Sequence, residues 1–203
     1  STASGQNSHA EGITTFVSGA NAHGEGNGCQ ATGQNSHAEG SISTASAFAS
    51  HAEGQLTTAS ASQAHAEGNS TSASGPSSHA EGVSTKAIGG NSHAEGNSTG
   101  ALGASSHAEG VSTNAIGDNS HAEGSNTVAS GTSSHAEGES CFAGFRAHSQ
   151  GFGCTATAQG AHAQGTNCVA SGVCSDAQGT GCTASASFSH AEGNSTIADV
   201  IGT

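Results

Sequence analysis

No Met, Trp or Tyr occurs in these 203 residues, Pro appears once, and the only basic side chains are Lys86 and Arg146. Each absence excludes something. With two cations the chain cannot track a phosphate backbone, which excludes nucleic acid as a partner. No apolar run reaches transmembrane length and no secretory leader is visible, so no membrane insertion is expected of this segment. The lack of Met reads Ser1 as something other than a translation start, in a piece processed or excised from a longer protein. Leu, Ile, Val and Phe make up only about a tenth of the chain, too little for a conventional globular core. With a formal charge of −13, such a composition ordinarily marks disorder.

What is present overrides that expectation. The tetrapeptide His-Ala-Glu-Gly, or a close variant, recurs with its His at 9, 23, 37, 51, 65, 79, 93, 107, 121 and 135. One step of thirteen residues leads to His148, and fourteen-residue steps resume at His162, Asp176 and His190. Disordered linkers have no reason to keep such a register; a fixed period of this kind marks a solenoid. The regular stretch is 1–138, and 139–203 continues it after a one-residue deletion near Gly144, richer in Cys and Gln. Both stretches read as one solenoid domain. Ser1 enters part-way through a repeat and Thr203 leaves part-way through another, as expected of a segment cut from a fibre or stacked end to end.

Each unit halves into a seven-residue theme. Ser78-His79-Ala80-Glu81-Gly82 is one half and Thr85-Lys86-Ala87-Ile88-Gly89 the other. Period-two alternation punctuated by Gly predicts short strands joined by tight turns, and the frequent Gly, Ser and Thr oppose helix. The motif Ala is interrupted only by Gly24 and Ser149; the second-half Ala column, from Ala31 to Ala198, is exceeded only by Val17. Columns of Ser or Ala, and of Thr, Ser or Cys, alternate with these, and all are small. Such positions share one strand face. The expected fold is all-β: a parallel β-roll of about fourteen coils, two sheets back to back over methyl groups and small hydroxyls. Replacing a motif Ala such as Ala94 with Leu is expected to wreck it locally.

The unit Asn91-Ser92-His93-Ala94-Glu95-Gly96, followed by Asn-Ser-Thr-x-Ala-x-Gly, resembles the head repeat of trimeric autotransporter adhesins of the YadA type. It is also similar to His-Ala-Glu-Gly repeat regions of bacterial and phage surface proteins. The resemblance implies a left-handed roll and a homotrimer. Where that family places the Val and Ile of its apolar subunit contact this chain has His and Glu, which would make a corresponding interface polar.

Outward on the long strands stand His9, Glu11, His37, Glu39, His51, Glu53, His65, Glu67, His79, Glu81, His93, Glu95, His107, Glu109, His121, Glu123, His135, Glu137, His190 and Glu192. Coils rising by about 4.8 Å would span about 67 Å in all and set these side chains in adjacent columns. Carboxylates at that spacing repel by about 3.5 kcal/mol at an effective dielectric of about 20. The preferred reading is a polar zipper, His donating to Glu within or between chains, whose stability would fall above the His titration range. Divalent metal binding by His-x-Glu pairs is the alternative, with no other cofactor implied. Acid–base catalysis needs a unique pocket, not a column of equivalent copies, so the chain reads as no enzyme.

Cys141, Cys154, Cys168 and Cys182 occupy successive coils of an inward column, so they are either buried thiols standing in for Thr or partners in inter-coil disulfides. Cys29 shares that column, and Cys174 lies at a turn as the exposed thiol. Phe142, Phe145 and Phe152 gather in sequence around the deletion beside Arg146, as a local cover or a contact patch. The resulting expectation is a structural or adhesive surface fibre segment: an adhesin head or stalk, or part of a phage tail fibre. It would be extracellular, on a cell, spore or virion, and would meet copies of itself and a host or matrix ligand. Ice binding ranks last, because the regular Thr column points inward.

Overall fold

The computed structural model describes residues 1–200; the chain end at Thr203 lies outside them. Among the described residues there is no helix. The described residues form two compact units, the first 1–104 and the second beginning at Ser105. Each is a parallel β-solenoid, and together they carry about fourteen turns. The first unit holds eight two-residue strands, from Thr2–Ala3 to Gly100–Ala101, and seven five-residue strands, from His9–Ile13 to His93–Asn97. The second holds seven of each, from His107–Val111 to Ile197–Ala198. Within a unit, long strands pair only with long and short only with short, always in parallel. The composition shift at 138/139 falls inside the long strand His135–Glu139.

The fourteen-residue period is the pairing register. His65 lies beside His79, Ala66 beside Ala80 and Glu67 beside Glu81. Across the deletion the pairing becomes His135 with His148 and Phe142 with Thr155, so neither sheet slips. The missing residue comes out of the turn, which keeps its closing hydrogen bond: Ala147 N–H donates to Gly144 O at 3.1 Å, as Ser134 donates to Gly131 at 3.2 Å. Outside that turn, every seventh residue bends the chain through the left-handed region. Asn7, Thr14, Asn21, Asn35 and Ile42 have φ of 51–60° or close to it, and the series runs on to Ser195. Asn suits this conformation, whereas a β-branched residue such as Ile42 is held there against its preference by the surrounding coils.

The interior is as thin as the columns predict. Ala38, Ala45, Ala52 and Ala59 are wholly buried, as are their equivalents from Ala31 to Ala191, while Ala3, Ala10 and Ala198 in the end coils are not. Two of the three exceptions in the Ala columns answer each other. Val17 is the one larger residue, and the residue facing it is Gly24, where a Cβ would stand 2.6 Å from Val17 Cγ2. Volume added on one sheet is thus removed from the other, as a close-packed interior requires. Ser149, the remaining exception, is buried and donates to Cys154 O at 2.8 Å.

The inward Thr, Ser and Cys column ties successive coils together. Thr15 Oγ1 donates to Gly26 O at 3.0 Å, and Ser43 Oγ to Gly54 O at 3.0 Å. Cysteine thiols make the same reach: Cys154 to Gly165 O at 3.2 Å, Cys168 to Gly179 O at 3.3 Å and Cys182 to Gly193 O at 3.2 Å. Thr57, Thr71, Thr85, Thr99, Thr113 and Thr127 of the same column are buried with no hydrogen-bond partner for Oγ1, so the position demands small volume first, which is why Cys can replace Thr.

Candidate functional site

The outward columns are built by register alone. Because His and Glu are two apart on a strand and each strand pairs in register with its neighbour, identical side chains stack. Seven imidazoles stand in line in the first unit, with neighbouring centroids 4.7–5.0 Å apart from His9 to His93. Five follow in the second unit, from His107 to His162, at 4.8–5.1 Å. Most of these rings are nearly parallel. Spacing of this kind is ordinary aromatic stacking, a contact not included in the His–Glu zipper.

The zipper itself is loose within the chain. His Nε2 to Glu Oε2 distances on one strand are 3.6 Å at His51–Glu53, 3.8 Å at His65–Glu67 and 3.7 Å at His121–Glu123. Hydrogen-bond reach is met at His37–Glu39, at 3.4 Å, and at His190–Glu192, at 3.4 Å. The Nε2 atoms of His51, His65, His79, His121, His135 and His148 are shielded from solvent without a partner. The Glu side chains stay about half exposed, as Glu67 does at 47%.

This arrangement sets the electrostatics. Burial, followed by the neighbouring His51 and His79, holds His65 below the usual imidazole value, against the opposing pull of Glu53 and Glu81. His121 is lowered by burial and then by His135 and His107. His148 is lowered by burial and then by His135 and His162. His190 moves the other way, raised by its hydrogen bond to Glu192, with Asp176 adding to it.

The direction expected from a charged zipper is therefore reversed for these stacked rings: a lowered folded value favours the neutral form, so their stabilisation is present above the unfolded value of about 6.5 and is lost as pH falls through the folded values. His190 contributes in the opposite sense, at one exposed turn. The thermal midpoint should accordingly be higher at about pH 8 than at about pH 5.5, where carboxylates remain ionised. A midpoint that drops on that rise in pH would restore the charged zipper.

Two local sites depart from the regular ladder. Asp176 takes a His position in the column and accepts from both neighbours in it: His162 Nδ1 lies 3.0 Å from Oδ1 and His190 Nδ1 lies 3.1 Å from Oδ2. Gln178 Nε2 donates to both Asp176 oxygens, at 3.1 and 2.9 Å. The sequence marked Asp176 as a replacement but did not show that it would bridge two histidines. Beside the deletion, ligand atoms of His135, Glu137 and His148 lie within 4.8 Å of one another. Gln150 Nε2 donates to Glu137 Oε2 at 3.1 Å. The thirteen-residue step and the change from Glu to Gln at 150 were the signals for that place.

Cys141, Cys154, Cys168 and Cys182 are buried free thiols, as is Cys29, and Cys174 is exposed. The hydrogen bond with Cys141, together with burial, pushes the Cys154 thiol well above its ordinary value, so it is poorly nucleophilic. The aromatic residues near the deletion sit on different elements: Phe142 on the short strand Phe142–Ala143, Phe152 on the long strand His148–Phe152, and Phe145 in the turn. Arg146 lies over the Phe145 ring, with Cζ 4.9 Å from its centroid.

Fold and surface define a class: a parallel β-solenoid repeat protein whose distinctive feature is an in-register ladder of stacked His and flanking Glu. No family model matches the chain, and no curated protein matches its sequence.

Proposed function

We propose that this chain is a structural and adhesive fibre segment of an extracellular surface, on a cell, spore or virion, and is not an enzyme. In this reading it is a left-handed roll akin to YadA-type heads, and three copies assemble through the His and Glu columns. The observation that carries it is the constancy of one outward face. Neighbouring outward positions vary freely, as Lys86, Gly100, Asn114 and Val128 do, while His and Glu recur turn after turn. A face held constant turn after turn within each unit suits a repeated contact, and a second copy supplies that symmetry most simply.

The polarity of the columns supports the same reading. Glu53, Glu67 and Glu81 stand 3.6–3.8 Å from the His of their own strand, so a donor from another chain would complete them. A ladder of like charges also gains from being covered, since each carboxylate then meets a partner besides its neighbours in the stack. Ice binding gains nothing here: Thr57, Thr85 and Thr113 are fully buried.

Solution mass tests the assembly. Light scattering joined to size exclusion should give about 58 kDa, three times the 19.2 kDa chain. A monomer at all concentrations would sink the interchain contact and leave only the fold.

A further inference from the structure

The turn that loses a residue also breaks the regularity of the ladder, and the break has a chemistry of its own. On the regular strands each His has a Glu two residues on. At the deletion His148 is followed instead by Gln150, so His135 and His148 share Glu137 as their nearest motif carboxylate. Ligand atoms of these three residues lie within 4.8 Å of one another. The Nε2 atoms of both rings are shielded from solvent and lack a partner. Glu137 is the least exposed of the motif carboxylates on the His–Glu strands, at 40%. Its Oε2 accepts from Gln150 Nε2 at 3.1 Å, an outer hydrogen bond that orients the carboxylate.

We propose that His135, Glu137 and His148 form a single divalent transition-metal site, taking Zn²⁺ or an ion of similar preference, with solvent completing the coordination. Two imidazole nitrogens and one carboxylate oxygen are the donor set that borderline divalent ions favour, while Ca²⁺ and Mg²⁺ prefer all-oxygen sites. Small side-chain rotations bring donors at this separation to the 2.0–2.2 Å that zinc needs, roughly. All three ligands lie on one chain, so no second copy is needed to supply a donor. It also differs from a ladder-wide scaffold, because it uses the coil where Gln150 replaces the motif Glu next to the shortened turn.

Calorimetric titration of the untagged, chelator-treated chain with Zn²⁺ at neutral pH tests it. One tight equivalent per chain is expected, with no comparable uptake of Ca²⁺. H148Q should abolish that equivalent, Q150A should weaken it about tenfold, and H65Q, in a regular coil, should leave it intact. E137Q gives a second route to the same loss should H148Q disturb the fold, and far-ultraviolet circular dichroism shows which variants remain folded. Absence of uptake, an equivalent that survives both H148Q and E137Q, or a stoichiometry that scales with the number of His–Glu pairs would each overturn the proposal.

Discussion

Replacing Ala94 with Leu should unfold the turn that contains it and lower the stability of the first unit by at least about 3 kcal/mol, the upper end of ordinary overpacking. Ala94 has no exposure at all, and its neighbour across the ladder, Ala80, has none either. The facing short sheet presents Ala87 and Ala101, also fully buried. Three added carbons therefore meet backbone and methyl groups from every direction, with no flexible side chain able to move aside. A repeat protein passes such a defect to adjoining turns, because each turn is stable only against its neighbours. Thermal unfolding followed by circular dichroism would measure the effect; a midpoint within a degree or two of the parent would show that the interior can open.

Gly68→Ala should be comparably severe for a different reason. Gly68 has φ +112°, outside the ordinary range for an L side chain, and an added Cβ would come within 2.1 Å of Gly82 O. Conformational strain alone costs about 1–3 kcal/mol. The clash involves a backbone carbonyl of the next strand, so relief requires the parallel pair to separate. The paired long strands that carry Gly68 and Gly82, His65–Asn69 and His79–Val83, should lose their amide protection together in hydrogen exchange. Retained protection in both strands would mean that the two coils can shift apart without losing their bonds.

Most of the architecture was legible because it is written as columns. Reading Ala38, Ala52 and Ala66 as one inward set needs only the fourteen-residue period and the alternation of a strand, and all three are buried. The exceptions Val17, Gly24 and Ser149 were visible as well, but the Val17–Gly24 exchange was not, because it crosses between sheets. Pairing within a sheet follows from the period, whereas facing across the interior depends on where the turns fall. The turns themselves were hidden for a related reason. Asn7, Ile42, Leu56 and Phe188 share one backbone conformation but no side-chain chemistry, so composition carries little trace of it.

The candidate site was legible in position and less so in chemistry. Period two put His and Glu outward and one above another. It did not say that imidazoles would stack at 4.7 Å in the middle of the column, closer to each other's rings than a charged ladder would tolerate. Burial lowers His65, His121 and His148, the histidines stacked on them add to it, and together these effects reverse the sign of the expected pH effect. Asp176 illustrates the same limit. Its substitution was plain, yet bridging His162 and His190 depends on side-chain rotamers that a one-dimensional pattern leaves open.

The shortened turn at Gly144–Ala147 has an engineering consequence. Chain length there has already changed by one residue while pairing on both sheets stayed in step. Length variation is thus absorbed at a corner and never reaches the strands. Corners of this kind are natural splice points: a foreign loop grafted there would be displayed at a fixed height on the scaffold, and copies grafted at successive corners would be spaced by the rise of one coil, like marks on a ruler.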